Sequence, residues 1–408
     1  MNCLIYLSRQ IGDKMKDLSK YYRGYVSIDV NAIRDNLVAM IDKVSDGTEI
    51  LAVLKADGYG HGGVPIAKKI DDLCYGYCLA TVDEGAIFRK HNITKPIYIL
   101  GYVPASEYKE LVEYNLIPPI FTYEDAKELS QFAKKEGKVV DVNIALDTGM
   151  SRIGFFPTTQ AAKEIEKITK LENINVTTIF THFAKADYKD KEHANNQLKL
   201  FDDFVKELDK LGISIPIHTV ANSAATMEMR QCDKTLDRIG ISLYGLYPSD
   251  EMDMDHIKLK PALSWHTHVA YIKEIEPGMG VSYGSTFVAD EKMTVATIPV
   301  GYADGYPRNL SNKGYVLING KKAPILGRVC MDQFMVDVTG IDVKRHDLVT
   351  LIGKDGDLEI KMDDYAVLAG TFNYEFACNI SKRIPRVAYF DNEIYCTKDY
   401  FDDEYKFD

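Results

Sequence analysis

Residues 50–63, ILAVLKADGYGHGG, place a short apolar run directly before a lysine and a glycine-rich turn. The same alternation, an apolar or β-branched run followed by a segment of helical length, continues along the first half of the chain. Eight runs have strand character: 50–54, 76–81, 96–100, 118–121, 139–146, 174–181, 215–220 and 235–241. Strands that alternate with helices indicate βαβ units and a parallel sheet. We therefore predict an α/β fold with a closed (β/α)8 barrel, and keep an open doubly wound sheet as the alternative.

A second pattern begins after residue 260, where helical spacing becomes rare. Strand-like stretches occur there at 266–274, 292–299, 314–319, 323–338 and 347–353, separated by turn signals such as Asn319-Gly320. This pattern predicts a second, mainly β domain. The predicted organisation is an N-terminal extension over residues 1–22, a barrel over residues 23–257 and a C-terminal β domain over residues 258–408.

Composition excludes several classes of function. The chain has 408 residues and a formal net charge of −11, which is the wrong sign for a nucleic-acid or anionic-membrane partner. Its seven cysteines are an odd number and mostly lie in apolar runs, so we expect reduced thiols and a cytoplasmic location. His266 and His268 alternate on one strand without a third ligand, so we expect no metal site.

Polar residues stand where the predicted barrel strands end. The chemistry of such barrels occurs at the C-terminal ends of the strands. Lys55 ends the first strand, and a lysine half-wrapped by apolar residues can lose its proton and act as a nucleophile or base. The other strand-end candidates are Arg152, His182, Ser223, Arg238, Gly240 and Ile241. Each has an ordinary structural explanation by itself, but their convergence at one edge predicts an active site, with Ser223 and backbone amides suited to a phosphate.

Nine sequence blocks occur in order along the chain: LKADGYGHG, LDTGMSRIGF, THFAKAD, ANSAA, DRIGISLYG, VSYGSTF, PVGYADGYPR, GRVCMDQFMVD and NYEF. Together they resemble the bacterial alanine racemases, from about residue 24 to residue 387. The resemblance implies a barrel followed by a β domain, pyridoxal 5′-phosphate as cofactor and a homodimer whose active sites are shared between subunits. It also implies that the chain interconverts L- and D-alanine and supplies D-alanine for peptidoglycan.

The resemblance also implies two catalytic bases, one for each face of the substrate Cα. Lys55 matches the lysine that binds the cofactor covalently, and Tyr283 matches the opposite base, which comes from the other subunit. Arg238 matches the arginine facing the pyridine nitrogen, with His182 near it. The implied phosphate cradle consists of Tyr59, Ser223, Gly240, Ile241 and Tyr374. The implied substrate-binding residues are Arg152, Met331, Tyr302 and Asp332.

Two residues depart from the family pattern. Ala145 stands where the family usually has a lysine, often carbamylated, and Ile239 stands where a proline is common. The first departure alters the charge near Arg152, and we put forward the hypothesis that a small anion such as chloride compensates for it. This hypothesis assumes that the Arg152 guanidinium is partly buried and needs an acceptor.

Three other functions stay open at this point. One is a racemase of serine or another amino acid, since Ala145 alters the pocket. Another is a non-catalytic pyridoxal-phosphate-binding protein, against which Tyr283 and the complete β domain argue. The last is a fold-sharing amino-acid decarboxylase, which the nine blocks match far less well.

Overall fold

A computed structural model describes residues 18–400, and these residues form two compact units. The barrel unit comprises Ala32–Gly58 and Gly63–Pro261. The β unit comprises the described residues up to Asn31, the short segment Tyr59–Gly62 and the described residues from Ala262 onward. Of the predicted extension over residues 1–22, residues 1–17 lie outside the described part, and Ser19–Tyr21 form a single 3-10 turn.

The first strand, β1 (Tyr25–Asp29), belongs to the β unit. The next eight strands build the barrel unit: β2 (Glu49–Val53), β3 (Gly76–Leu79), β4 (Ile97–Ile99), β5 (Pro119–Ile120), β6 (Val140–Ala145), β7 (Ile174–Phe180), β8 (Ile217–Thr219) and β9 (Leu236–Ile239). The α-helices of the described chain up to Pro261 are α1 (Val30–Ile41), α2 (Gly63–Ile70), α3 (Val82–Lys90), α4 (Tyr108–Glu113), α5 (Tyr123–Lys135), α6 (Thr159–Ile168), α7 (Glu192–Lys210) and α8 (Ser223–Glu228).

Strands β2–β9 are parallel and close into a barrel. The strands form two four-stranded sheets, in the orders β4-β3-β2-β9 and β5-β6-β7-β8. Backbone hydrogen bonds join the two sheets at both seams, where their edge strands meet. At one seam the Ile99 N–H donates to the Ile117 carbonyl at 2.8 Å, and at the other the Arg238 N–H donates to the Ala221 carbonyl at 3.1 Å. The predicted (β/α)8 barrel is confirmed, and the open sheet is wrong.

The helices cover the barrel with apolar faces of helical spacing. In α7, Leu198, Phe201, Phe204 and Leu208 are buried, as the sequence pattern predicts. Helix α5 begins at a Thr122 side chain that accepts the Asp125 N–H at 3.1 Å. Within residues 18–400, no helix is both long and apolar enough to cross a membrane.

The β unit is built on one large sheet, as the second sequence pattern predicts. Its remaining strands are β10 (Leu263–His268), β11 (Tyr271–Ile275), β12 (Gly280–Val281), β13 (Phe287–Val288), β14 (Met293–Ile298), β15 (Tyr315–Ile318), β16 (Lys321–Leu326), β17 (Phe334–Asp337), β18 (Leu348–Asp355), β19 (Leu358–Ile360), β20 (Arg386–Phe390) and β21 (Glu393–Lys398). The sheet order is β11-β14-β17-β16-β15-β18-β10-β1-β20-β21, with β19 on β18, and β12 pairs with β13. Two helices follow β19, namely α9 (Met362–Ala369) and α10 (Asn373–Asn379).

Four predicted boundaries or strand limits differ from the structure. Residues 23–31, predicted in the barrel, lie in the β unit because β1 pairs antiparallel with β10 and parallel with β20. The stretches 266–274 and 323–338 are each two strands, because turns between them let the chain change neighbours in the sheet. The barrel unit ends at Pro261 rather than residue 257.

Candidate active site

Lys55 opens a left-handed turn at the end of β2. Ala56, Asp57 and Tyr59 have φ values of 54°, 51° and 51°, and Gly58 lies between them at 64°. Each non-glycine residue in this conformation costs about 1–2 kcal/mol, so the turn stores strain next to the lysine. The Gly58 N–H donates to the Leu54 carbonyl at 2.8 Å and closes the turn onto the strand.

Two carboxylates hold the left-handed turn. Asp57 accepts the Gly63 N–H at 2.9 Å. Glu84 accepts the backbone N–H of Asp57 at 3.3 Å and that of Ala80, at the end of β3, at 2.8 Å. Sequence reasoning missed Glu84, although the spacing Thr81-x-x-Glu84 is a capping signal.

Arg238, on β9, is 4% exposed and bound to the ends of two neighbouring strands. Its Nη1 donates to the Thr219 carbonyl at 2.8 Å and to the Thr219 hydroxyl at 2.7 Å. Its Nη2 donates to the carbonyls of Thr181 at 2.7 Å and Val220 at 3.2 Å, and lies 3.4 Å from His182 Nδ1. These bonds fix the guanidinium plane, and within residues 18–400 the Nε–H donates to no residue. That donor is therefore available to a ligand.

His182 stays neutral at physiological pH. Burial, followed by the positive charges of Arg238, Arg152 and Lys55, lowers the pKa of its imidazole to about 3. Burial also lowers the pKa of Arg238. Three cationic side chains thus lie near one half-buried ring in a chain of net charge −11. Positive potential of this kind suits an anionic ligand.

Ser223 and Gly240 meet beside this edge. The Gly240 N–H donates to the Ser223 hydroxyl at 2.8 Å, and both groups are buried. Ser223 is the first residue of α8, whose start is capped by an Asn222 side chain that accepts the Ala225 N–H at 3.1 Å. Ile241 follows Gly240 as the first residue of a 3-10 turn.

Arg152 differs from the expectation. It follows a turn in which Asp147 Oδ1 accepts the N–H groups of Gly149 at 3.0 Å and Ser151 at 2.9 Å. The Arg152 side chain is exposed, not partly buried. The anion hypothesis at Ala145 loses its free-energy argument, because an exposed guanidinium is satisfied by water.

The candidate residues of the β unit fall into two groups. The rings of Tyr59 and Tyr374 lie with their centroids 6.1 Å apart. Tyr283, Tyr302 and Met331 are 72%, 42% and 52% exposed. Exposed side chains of this size are available to a ligand or a second chain.

A charge network that sequence reasoning missed supports Tyr302 and Asp332. Asp304 is fully buried, accepts two bonds from Arg23 Nη2 at 2.8 and 2.7 Å, and accepts the Gly301 N–H at 2.9 Å. It thereby shapes the turn that carries Tyr302. Arg383 lies 3.5 Å from the same carboxylate and 2.8 Å from Asp332.

Comparison with known proteins places this geometry in a family. The model of the alanine racemase N-terminal domain matches residues 28–248, and that of the C-terminal domain matches residues 262–388. The chain belongs to the alanine racemase family. The racemase fold and the resemblance carried by the nine blocks are thereby confirmed.

Individual relatives cover nearly the whole chain. Alanine racemase 1 of Clostridium acetobutylicum is 42% identical over 378 residues, which is 92% of this chain and 98% of the relative. The structure of an alanine racemase from Clostridium difficile 630 superposes with a TM-score of 0.90 at 36% identity, over 93% of this chain and 98% of that one. A histidine racemase from Leuconostoc mesenteroides subsp. sake superposes with a TM-score of 0.85 at 27% identity, over 91% and 99%.

Proposed function

We propose that this chain interconverts L- and D-alanine with pyridoxal 5′-phosphate as cofactor, and that the D-alanine serves peptidoglycan synthesis. The observation that carries the proposal is the convergence of Lys55, His182 and Arg238 at the C-terminal edge of the barrel in a member of this family. Eight parallel strands deliver these side chains to the edge where barrel enzymes perform their chemistry.

The residues at this edge fit the cofactor. The positive charge of Arg152 near His182 suits the substrate carboxylate, and the Nε–H of Arg238 offers a donor to a ring nitrogen. Pyridoxal phosphate, when bound, withdraws electrons from the substrate Cα and makes its proton removable. Lys55 would hold the cofactor covalently, and the phosphate would bind Ser223, Gly240, Ile241, Tyr59 and Tyr374.

Arg238 would tune the cofactor as well as bind it. A guanidinium keeps its proton, so Arg238 would donate to the ring nitrogen and leave that nitrogen unprotonated. This limits electron withdrawal and disfavours side reactions such as transamination. The strand-end carbonyls that bind both Nη atoms prevent the side chain from rotating away.

Racemisation needs a proton to leave one face of Cα and another to arrive on the opposite face. Lys55 Nζ would serve one face, and the hydroxyl of the partner subunit's Tyr283 would serve the other. The 72% exposure of Tyr283 in its own chain supports a role toward a second chain. A phenol has a pKa of about 10, so the base form needs positive charge nearby. Arg328 brings a positive charge close to this segment. Its Nη1 is 3.4 Å from the position that a Cβ on Gly284, the residue after Tyr283, would occupy.

The substrate would be held by its carboxylate. Arg152 is exposed and can pair with an incoming anion, and the Met331 backbone amide is a second donor. Tyr302 and Asp332 would line the mouth of the pocket. Hydrogen bonds from Tyr302 N to the Cys330 carbonyl at 3.0 Å and from Ala303 N to the Met331 carbonyl at 2.9 Å join these two loops.

A second candidate is racemisation of another amino acid. The fold of the histidine racemase neighbour shows that one scaffold serves different side chains, and Ala145 removes a bulky family residue. The experiment is a panel of L-alanine, L-serine and L-histidine with the purified, cofactor-loaded chain, scored by chiral chromatography. We expect D-alanine to form fastest and Lys55→Ala to form none. Faster D-serine or D-histidine would reassign the substrate, and no D-product at all would overturn the function.

Shared sites in a homodimer are tested by mixing two inactive variants. Lys55→Ala and Tyr283→Phe chains, after subunit exchange, should recover up to about one quarter of wild-type activity, because half of the dimers regain one intact site. Tyr271→Phe, at an exposed tyrosine of the same unit, is the matched control and should be active alone. Exchange without recovery would place both bases in one chain.

A further inference from the structure

Gln197 is a buried amide on the apolar face of a helix. It lies in α7 beside buried Ala194, Leu198 and Phe201, and is 1% exposed. Burying a carboxamide costs free energy unless its hydrogen bonds are all made. A leucine at this position would pack as its neighbours do, so the amide needs an explanation beyond the core.

Both polar atoms of the Gln197 side chain form hydrogen bonds with loops at the active-site edge. Its Nε2 donates to the His182 carbonyl at 3.0 Å and to the Thr148 hydroxyl at 3.3 Å. Its Oε1 accepts the Ala184 N–H at 2.9 Å. One side chain therefore joins the loop after β6 to the loop after β7. The Thr148 and Thr181 hydroxyls, 2.7 Å apart, form a second tie between the same loops.

The two loops carry different parts of the proposed chemistry. The loop after β7 holds His182 and the Thr181 carbonyl, both of which contact Arg238 Nη2. The loop after β6 leads from Thr148 to Arg152. The fit is tight, because a Cβ on Gly149 would lie 3.3 Å from Gln197 Cγ. A shift of the Gln197 amide would therefore move Arg238, proposed to face the cofactor, and Arg152, proposed to face the substrate.

We propose that Gln197 is a positioning residue that fixes His182 and Arg238 through one loop and Arg152 through the other. The proposal rests on the racemase function proposed above. Gln197 touches no reacting atom; it acts through the geometry of residues that do. Its removal should therefore change both kcat and KM, whereas removal of its bond to Thr148 alone should act on KM.

Three variants separate the bonds. Gln197→Met removes all of them at nearly constant volume. Gln197→Glu keeps the acceptor for Ala184 N–H and replaces the donor to the His182 carbonyl by an oxygen. Thr148→Val removes the bonds of the Thr148 hydroxyl to Gln197 and to Thr181 and leaves both bonds of Gln197 to the loop after β7. Gln160→Glu, on the exposed face of α6, is the matched control for the amide-to-acid change.

We expect Gln197→Met and Gln197→Glu to lower kcat about ten- to hundredfold, because small displacements of positioned groups have effects of this size. Thr148→Val should raise KM for alanine about threefold or more with kcat within about twofold, since it leaves the His182 bond intact. Gln160→Glu should match the wild type. Both Gln197 variants should also weaken the visible circular dichroism of the bound cofactor.

Amide hydrogen exchange of the cofactor-free chain gives a measurement independent of activity. The Ala184 N–H should exchange faster in Gln197→Met and stay protected in Gln197→Glu. If the wild type racemises no amino acid, the proposed function fails. Exchange of the Ala184 N–H then still tests whether Gln197 holds the loop after β7. If the wild type is active and Gln197→Glu retains kcat and KM within about twofold, the positioning role is refuted. Should Gln197→Met not fold, Gln197→Glu decides by the same criterion.

Discussion

Replacing Asp237 by asparagine should stabilise the chain at pH 8 far more than at pH 5. Asp237 precedes Arg238 on β9, is fully buried, and accepts the Thr226 hydroxyl at 3.0 Å through Oδ2. Asp233 accepts the Ser45 N–H at 2.7 Å and its hydroxyl at 2.8 Å through its own Oδ2. The two remaining Oδ1 atoms are buried and receive no N–H or O–H donor from the described residues. We infer that the two carboxyls share a proton, which satisfies both Oδ1 atoms.

The pKa of Asp237 measures how strongly this proton is held. Burial, and then repulsion by Asp233, raises the pKa from 3.8 to about 7, although Arg238 opposes the shift. The Asp237 carboxyl keeps its proton to higher pH in the folded chain than in the unfolded chain. Its contribution to the free energy of unfolding is therefore fully present below about pH 4 and is lost as pH rises to about 7.

Asparagine replaces the protonated carboxyl by a neutral amide at every pH. Its Nδ2 can donate to Asp233, and its oxygen can accept from Thr226. Between pH 5 and pH 8 the wild type should therefore lose about 2–3 kcal/mol more than Asp237→Asn. Urea unfolding at the two pH values measures this difference, with exposed Asp209→Asn as control. Equal pH dependence in wild type and Asp237→Asn would refute the shared proton.

Two further substitutions test the packing around Gly60 and the role of Arg238. Gly60→Ala should destabilise the β unit by about 2–4 kcal/mol, because φ is +79° there and the new Cβ would lie 2.5 Å from the Ala377 carbonyl oxygen; an unchanged melting temperature would contradict this packing. Arg238→Glu should slow racemisation and increase transamination, measured as pyruvate formed from alanine, because a carboxylate favours protonation of the ring nitrogen. An unchanged rate without pyruvate would contradict the tuning role.

The barrel was predictable from the sequence because its signals are local. Runs such as 50–54 and 174–181 are β-branched and apolar, and the strand-end rule then indicates Lys55, His182 and Arg238 as candidates. The assignment of β1 was not predictable, because its partners β10 and β20 lie far along the chain. A five-residue strand pattern does not specify which sheet it joins.

The supporting residues of the site escaped sequence reasoning for a similar reason. Glu84, Gln197 and Asp304 act through contacts with residues distant in sequence, and each residue type also has an ordinary explanation. The left-handed turn after Lys55 runs against propensity, since Ala56 seldom adopts a positive φ. Such exceptions are expected at functional sites, where the surrounding structure outweighs local preference.

The proposed chemistry depends on covalent attachment of the cofactor to Lys55. Borohydride reduction of the purified, cofactor-loaded chain, followed by peptide mass mapping, identifies the lysine that holds pyridoxal phosphate. We expect a phosphopyridoxyl group on Lys55, in the peptide containing the sequence KADGYGHGG, and its loss in Lys55→Ala. A modification on another lysine, or none in a chain that still racemises alanine, would contradict it.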